Sequence, residues 1–216
     1  LAGIISGNST EANGFKGVCP GIKIMSLRYF ATDLTGLKNL ENTVKAIKYA
    51  IKNGANIINY SGGGASYAHD EYEALKEATE KGMLVVAAAG NERSDTAKRP
   101  YFPASYDLKN IISVAGIGSD GDLIPASNWG KATVDVAAPG GAILSLQQNQ
   151  NYGMMNGTSQ ATAFVSGLAG MLWSFNPKLR AENVKEIIEK SVNKSDLLKK
   201  KLMTGGSVDA VLAMQT

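Results

Sequence analysis

The sequence predicts an α/β fold, a mostly parallel sheet with helices on both faces. Three observations carry this. Met83-Leu84-Val85-Val86-Ala87-Ala88-Ala89 is apolar at every position, the pattern of a strand buried on both faces. Val44, Ile47 and Ile51 recur at helical spacing, and Gly54 follows as a stop. Strand-like and helix-like stretches alternate along the chain, as crossovers between parallel strands require.

Taken in order, Leu1-Ala2-Gly3-Ile4-Ile5-Ser6-Gly7 reads as the middle of a helix with no N-cap before it. The expectation is therefore that the natural N-terminus lies elsewhere. Ile22-Lys23-Ile24-Met25-Ser26-Leu27 reads as a short strand, followed by a polar loop through Gly36. The helix around Val44–Ile51 leads to a strand at Asn56–Tyr60, which runs into Ser61-Gly62-Gly63-Gly64. A helix from about Asp70 to Lys81 ends at Gly82, before the apolar strand at Met83. Ile111–Ile117 and Thr133–Ala137 are further strands. Ser159–Phe175 is an Ala- and Gly-rich helix ended by Asn176-Pro177, and Ala181–Ser191 is the last clear helix. No repeat, linker or low-complexity tract divides residues 1–216, so one domain is expected.

Composition narrows the function classes. The 216 residues are enough for one sizeable core, and 24 glycines suit an enzyme with many tight strand-to-loop turns. The net charge of +3 comes from interspersed Lys and Asp/Glu, which argues against both nucleic-acid and membrane partners. Lys199-Lys200-Lys201 reads as a solvated turn after a helix. No apolar run approaches the roughly 20 residues of a membrane span. The single cysteine, Cys19, excludes an internal disulfide and suits a small buried hydrophobe.

The chemistry concentrates where three strand ends or loops carry glycines: Ser61-Gly62-Gly63-Gly64, Ala88-Ala89-Gly90-Asn91, and the loop before Ser159. Ligands of open parallel sheets bind beyond the carboxyl ends of strands. Each stretch alone is also readable as a tight turn. A phosphate loop at Gly62–Gly64 is disfavoured, because neither the G-x-G-x-x-G spacing nor a P-loop Lys-Ser/Thr is present. Asn156-Gly157-Thr158-Ser159-Gln160-Ala161 reads as an exposed serine on a Gly turn opening a long helix. A helix start aims backbone N–H groups at a reacting oxygen. Asn91 could cap its loop, but an amide beside a glycine also suits an oxyanion hole with the Ser159 N–H. A serine still needs a base, and the chain's one histidine, His69, reads as a solvated loop residue.

These segments resemble the subtilisin-like serine proteases, the subtilases. Gly157-Thr158-Ser159-Gln160-Ala161-Thr162 matches the G-T-S-x-A-T around the family's nucleophile. Ala87-Ala88-Ala89-Gly90-Asn91 matches the segment ending in its oxyanion-hole Asn. Ser127-Asn128-Trp129-Gly130 and Val134-Asp135-Val136-Ala137-Ala138-Pro139-Gly140 match two more segments in order and at the family's spacing. Gly17-Val18-Cys19-Pro20 and Gly205-Gly206-Ser207-Val208-Asp209-Ala210 resemble its G-V-A-P and closing segments, so the likeness covers essentially the whole chain. Ala163 stands where the family has Pro.

The resemblance implies a serine endopeptidase acting through an acyl-enzyme, with Ser159 as nucleophile and Asn91 in the oxyanion hole. It implies that Ser61, Gly62 and Gly63 take an extended peptide by strand addition, and that Ala88, Ala89 and Gly90 wall the pocket before the scissile bond. Tyr101 falls at the floor of that pocket in Tyr101-Phe102-Pro103-Ala104, with the Phe102–Pro103 bond expected cis. Whether its ring fills the pocket or turns to solvent is open from sequence. Leu1-Ala2-Gly3 matches the last three positions of the family's H-G-T-H-V-A-G-like segment. That places the catalytic His just upstream of Leu1 and the Asp further upstream. The chain then corresponds to a subtilisin-like domain lacking its N-terminal strands. Alone it is expected to be inactive and poorly stable, and to need a companion segment carrying Asp and His. A non-catalytic, peptide-binding subtilase-like chain is the alternative. No cofactor is expected for catalysis. Structural calcium is common in the family, and Asn8–Gly14 falls at one of its calcium loops. A secreted or extracytoplasmic location is implied by the resemblance alone.

Overall fold

The structure, a computed structural model, describes residues 1–9, 14–147 and 151–216. The chain opens with α1 (Ala2–Ser6) and α2 (Gly36–Lys52). β1 (Ile57–Tyr60), α3 (His69–Glu80), β2 (Leu84–Ala88), β3 (Ile111–Ile117) and β4 (Val136–Pro139) follow. A hairpin of β5 (Ile143–Leu146) and β6 (Tyr152–Met155) precedes the long α4 (Thr158–Phe175). The chain closes with α5 (Ala181–Lys190), β7 (Val192–Lys194), α6 (Asp196–Lys199), β8 (Gly206–Val208) and α7 (Ala210–Gln215).

Six strands form one sheet in the order β1-β2-β3-β4-β8-β7, parallel except for β7 against β8. β2 is buried at every position, as its uninterrupted apolar run predicts. Its alternation of faces sorts the core. Leu84 and Val86 join Ile112, Val114 and Val136 beneath α4 and α5, packing on Val165, Leu168, Val184 and Ile188. Val85 and Ala87 face the other way, toward Ile47 of α2 and Ala74 and Leu75 of α3. Helices therefore cover both faces, and the α/β expectation holds.

α2 begins eight residues before Val44, on Thr35, whose hydroxyl accepts the Lys38 N–H at 3.3 Å. The apolar spacing marks only its inner turns. Ile22–Leu27 is not a strand, contrary to expectation. Ile22 packs against α4 at Gly170, and Leu27 packs with Ile58 and Met83. Between them, Ile24 and Met25 are exposed and no ladder bond joins the segment to β1. A strand exists by its pairing, and among the described residues the edge of β1 away from β2 has no partner. Cys19 is buried, 4.0 Å from the Ser174 hydroxyl. Lys199, the last residue of α6, and Lys200 after it are exposed, while the Lys201 ammonium donates to Asp122 at 2.6 Å.

Candidate active site

Three chain segments meet at the carboxyl ends of β1, β2 and β4. Ser61–Gly64 leaves β1, Ala89–Asn91 leaves β2, and Gly157 hydrogen-bonds Gly140 just past β4, its N–H donating at 2.8 Å. Gly157 has φ +142, a conformation that favours glycine, and it caps α4. Thr158 and Ser159 are therefore the first two residues of an 18-residue helix, where backbone N–H groups lack intrahelical acceptors.

Asn91 satisfies one of these. Its Oδ1 accepts the Thr158 N–H at 2.9 Å and the Thr158 hydroxyl at 3.2 Å. The Asn91 Nδ2 and the Ser159 N–H make no hydrogen bond among the described residues. Two donors, one on the residue bonded to Thr158 and one on Ser159 itself, are thus unspent among the described residues. An oxyanion within reach of both would gain two hydrogen bonds.

Ser159 and Ser61 are joined reciprocally. The Ser159 hydroxyl donates to the Ser61 carbonyl at 2.9 Å, and the Ser61 hydroxyl donates to the Ser159 carbonyl at 3.0 Å. Behind them, Asn59 donates to the Ser61 hydroxyl, and Ser166 of α4 donates to Asn59, each at 2.9 Å. This chain of bonds fixes the end of β1 to α4, the helix that Ser159 opens. His69 opens α3 in solvent, and the Ser159 hydroxyl is directed to Ser61 instead.

Gly62 and Gly63 leave their N–H and C=O groups without hydrogen bonds among the described residues. Gly64 and Phe102 exchange backbone bonds at 2.9 and 2.8 Å, holding this edge open. A Cβ on Gly62 would strike the Tyr29 hydroxyl, and one on Gly63 would strike the Phe102 carbonyl, with the Tyr101 ring at 2.6 Å. The Tyr101 ring also lies 3.0 Å from where a Cβ on Gly90 would stand, so it spans the gap between Gly63 and Gly90. Burial, with the Glu92 carboxylate next and then Tyr29, pushes its hydroxyl up to about 12. The Phe102–Pro103 bond is cis. Ala88, the last residue of β2, and Ala89 just past it are buried, so what they offer a ligand is backbone rather than side chain.

Sequence reasoning missed Asn59, Ser166 and the partners of Asn128. A signal existed for Asn59, since Asn is depleted in strands and sits in Ile57-Ile58-Asn59-Tyr60. Ser166 gave none within a small-residue helix. Asn128 was visible only as part of a matched segment.

The subtilase family model matches residues 1–207. The chain belongs to the subtilase family. It is 38% identical to the thermophilic serine proteinase of Bacillus sp. strain AK1, over 81% of this chain and 41% of that protein. It is 35% identical to thermitase of Thermoactinomyces vulgaris, over 89% of this chain and 66% of that one. It is 31% identical to subtilisin-like protease 3 of Plasmodium falciparum, over 97% of this chain but 29% of the relative. The subtilase chain thus spans less than two thirds of the length of each of these relatives. Among solved structures, proteases of Pseudoalteromonas arctica share a TM-score of 0.86 at 26% identity, with 99% of this chain and 68% of theirs covered. The subtilase cytotoxin SubAB assembly gives 0.84 at 28%, with 99% and 73% covered. The fold is that of a subtilisin-like domain.

No described helix is long and apolar enough to cross a membrane. Among the described residues no group of three or more His, Cys, Asp or Glu could hold a metal ion. Residues 10–13 of the expected calcium loop lie outside those described.

Proposed function

We propose that this subtilase chain supplies the nucleophile, oxyanion hole and substrate edge of a serine endopeptidase. The general base and its orienting carboxylate come from a segment outside residues 1–216. The single observation that carries this is that Asn91 is bonded through its Oδ1 to Thr158, next to Ser159, while its Nδ2 and the Ser159 N–H are unspent among the described residues. Ser159 attacks the scissile carbonyl, the two donors hold the oxyanion, and the acyl-enzyme is then hydrolysed.

An extended peptide pairs with the free backbone groups of Gly62 and Gly63. Its side chain before the scissile bond enters between Gly63 and Gly90, with Ala88 and Ala89 behind. Tyr101 limits the depth of that pocket, so small or medium residues are preferred there. The hydroxyl of Ser159 donates to a carbonyl and has no base beside it among the described residues, which supports the reading that residues 1–216 alone are inactive. A companion strand carrying the base would pair with the free edge of β1, which supports the same reading.

A structural calcium at the polar Asn8–Gly14 loop rests on the family resemblance, since the loop carries no clear run of ligands. A fall in melting temperature of the full-length protein with chelator checks it. We place the protein outside the cytoplasm, as the name of one relative, the cell wall-associated protease of Bacillus subtilis, suggests. Cell fractionation checks that. The enzyme reading is tested by reading the gene upstream of Leu1. A D-[ST]-G segment followed by an H-G-T-H segment ending at Leu1 supports it. Absence of both from the gene and from any partner chain supports the non-catalytic, peptide-binding alternative.

A further inference from the structure

We propose that Asn128 is a positioning residue for the oxyanion hole. It clamps the loop on both sides of Asn91 and acts on catalysis through that residue alone. The inference rests on the serine-protease reading.

Asn128 is 1% exposed, in the loop between β3 and β4, and it binds the Asn91 loop at five points. Before Asn91, its Nδ2 donates to the Ala89 carbonyl at 2.8 Å, and its backbone N–H donates to the Gly90 carbonyl at 2.9 Å. After Asn91, its Oδ1 accepts the N–H groups of Glu92 at 3.0 Å and Ser94 at 2.9 Å. The second Nδ2 proton goes to the Glu92 carboxylate at 2.7 Å. A side-chain amide offers two donors and two lone pairs, and all are spent on this one loop.

Residues 89–94 belong to no helix or strand. Asn91 itself is exposed, and its tie to the rest of the protein is the pair of bonds to Thr158. The position of its Nδ2 is therefore set by the backbone on either side, and Asn128 holds that backbone. The clamp is itself anchored. The Ser127 hydroxyl accepts the Gly116 N–H of β3 at 3.1 Å and donates to the Asn128 carbonyl at 2.9 Å. The Trp129 N–H donates to Ser94 at 3.0 Å. Gly90 completes the fit: at φ +102, a Cβ there would strike the Asn128 amide nitrogen.

Loss of the Asn128 side chain frees the Ala89 carbonyl, the Glu92 carboxylate and two N–H groups next to Asn91, and lets its amide drift. A displacement of about 1 Å in a catalytic group costs on the order of 10²-fold in rate. The test is a double-mutant cycle in the full-length enzyme, with kcat, KM and melting temperature measured for each variant. Asn128→Ala is expected to lower kcat by about 10- to 100-fold with KM changed less than about threefold. In an Asn91→Leu background the same substitution should change kcat by less than about threefold, because the donor it positions is gone. If Asn128→Ala does not fold, Asn128→Asp keeps the shape and both acceptors while losing the donors, and the same non-additivity is expected of it. Losses that multiply across the two sites, or a rise in KM at unchanged kcat, overturn the positioning role while leaving the protease reading intact. A full-length enzyme whose hydrolysis is absent, or is unaffected by Ser159→Ala, overturns both.

Discussion

Asn91 and Thr158 are joined twice, the Asn91 Oδ1 accepting both the Thr158 N–H at 2.9 Å and its hydroxyl at 3.2 Å. That double acceptance fixes which end of the amide is spent. The oxygen faces the helix start, and among the described residues Nδ2 is left as a donor without a partner.

Asn91→Leu in the complete enzyme should therefore lower kcat by about 10²–10³-fold with little change in KM, a range that includes measurements on a member of this family. Steady-state kinetics on a peptide substrate checks it. A rise in KM at constant kcat would instead assign Asn91 to ground-state binding.

Gly63 has φ +153, and a Cβ there would meet the Phe102 carbonyl. Gly63→Ala is expected to destabilise the fold by about 1–3 kcal/mol, because it combines backbone strain with a clash against main chain. Chemical denaturation reads the loss. Gly64→Ala serves as the comparison, since nothing lies within 4 Å of its Cβ position, and it should cost less.

Asp135 is a buried carboxyl whose pKa is pushed up to about 6, by burial first and by Glu189, against the pull of Lys185 and the Ser113 N–H. A carboxyl raised in the folded state binds its proton more tightly there than in the unfolded chain. Its stabilising contribution is thus full below about pH 4 and lost as pH rises through about 6. Melting temperature from pH 4 to 7 should show this falling component, and Asp135→Asn should flatten it. A component that rises with pH over that window and vanishes in Asp135→Asn would contradict the assignment.

Much of this architecture was legible because the core signals are strong. The seven apolar residues Met83–Ala89 fit a strand buried on both faces, and β2 runs through five of them. The matched segments around Ser159 and Asn91 lie at adjacent strand and helix ends, as α/β geometry demands. Other elements were illegible for physical reasons. β5 and β6 pair as a hairpin, yet Leu144, Leu146, Tyr152 and Met154 face solvent, so no apolar alternation marks them. Ile22–Leu27 has strand-like composition, but pairing is a property of neighbours that composition does not carry. The bonds of Asn128 and Ser166 join residues far apart in sequence, and no local pattern announces them.

Tyr101 spans Gly63 and Gly90, so its removal should deepen the pocket. Tyr101→Gly in the full-length enzyme is expected to raise cleavage after Phe relative to Ala, at about 1–3 kcal/mol per methylene-sized change in pocket volume. Relative kcat/KM for Ala, Leu and Phe substrates decides it. A strong Phe preference that the substitution leaves unchanged would place the ring outside the pocket's control.

The most direct measurement is peptide hydrolysis by residues 1–216 with and without the upstream segment that carries the Asp and His. The account predicts no turnover above the slow background from the chain alone. It predicts protease-level turnover when the upstream segment is present, abolished by Ser159→Ala. Protease-level hydrolysis by residues 1–216 alone, lost in both Ser159→Ala and His69→Ala, would contradict it and make His69 the base.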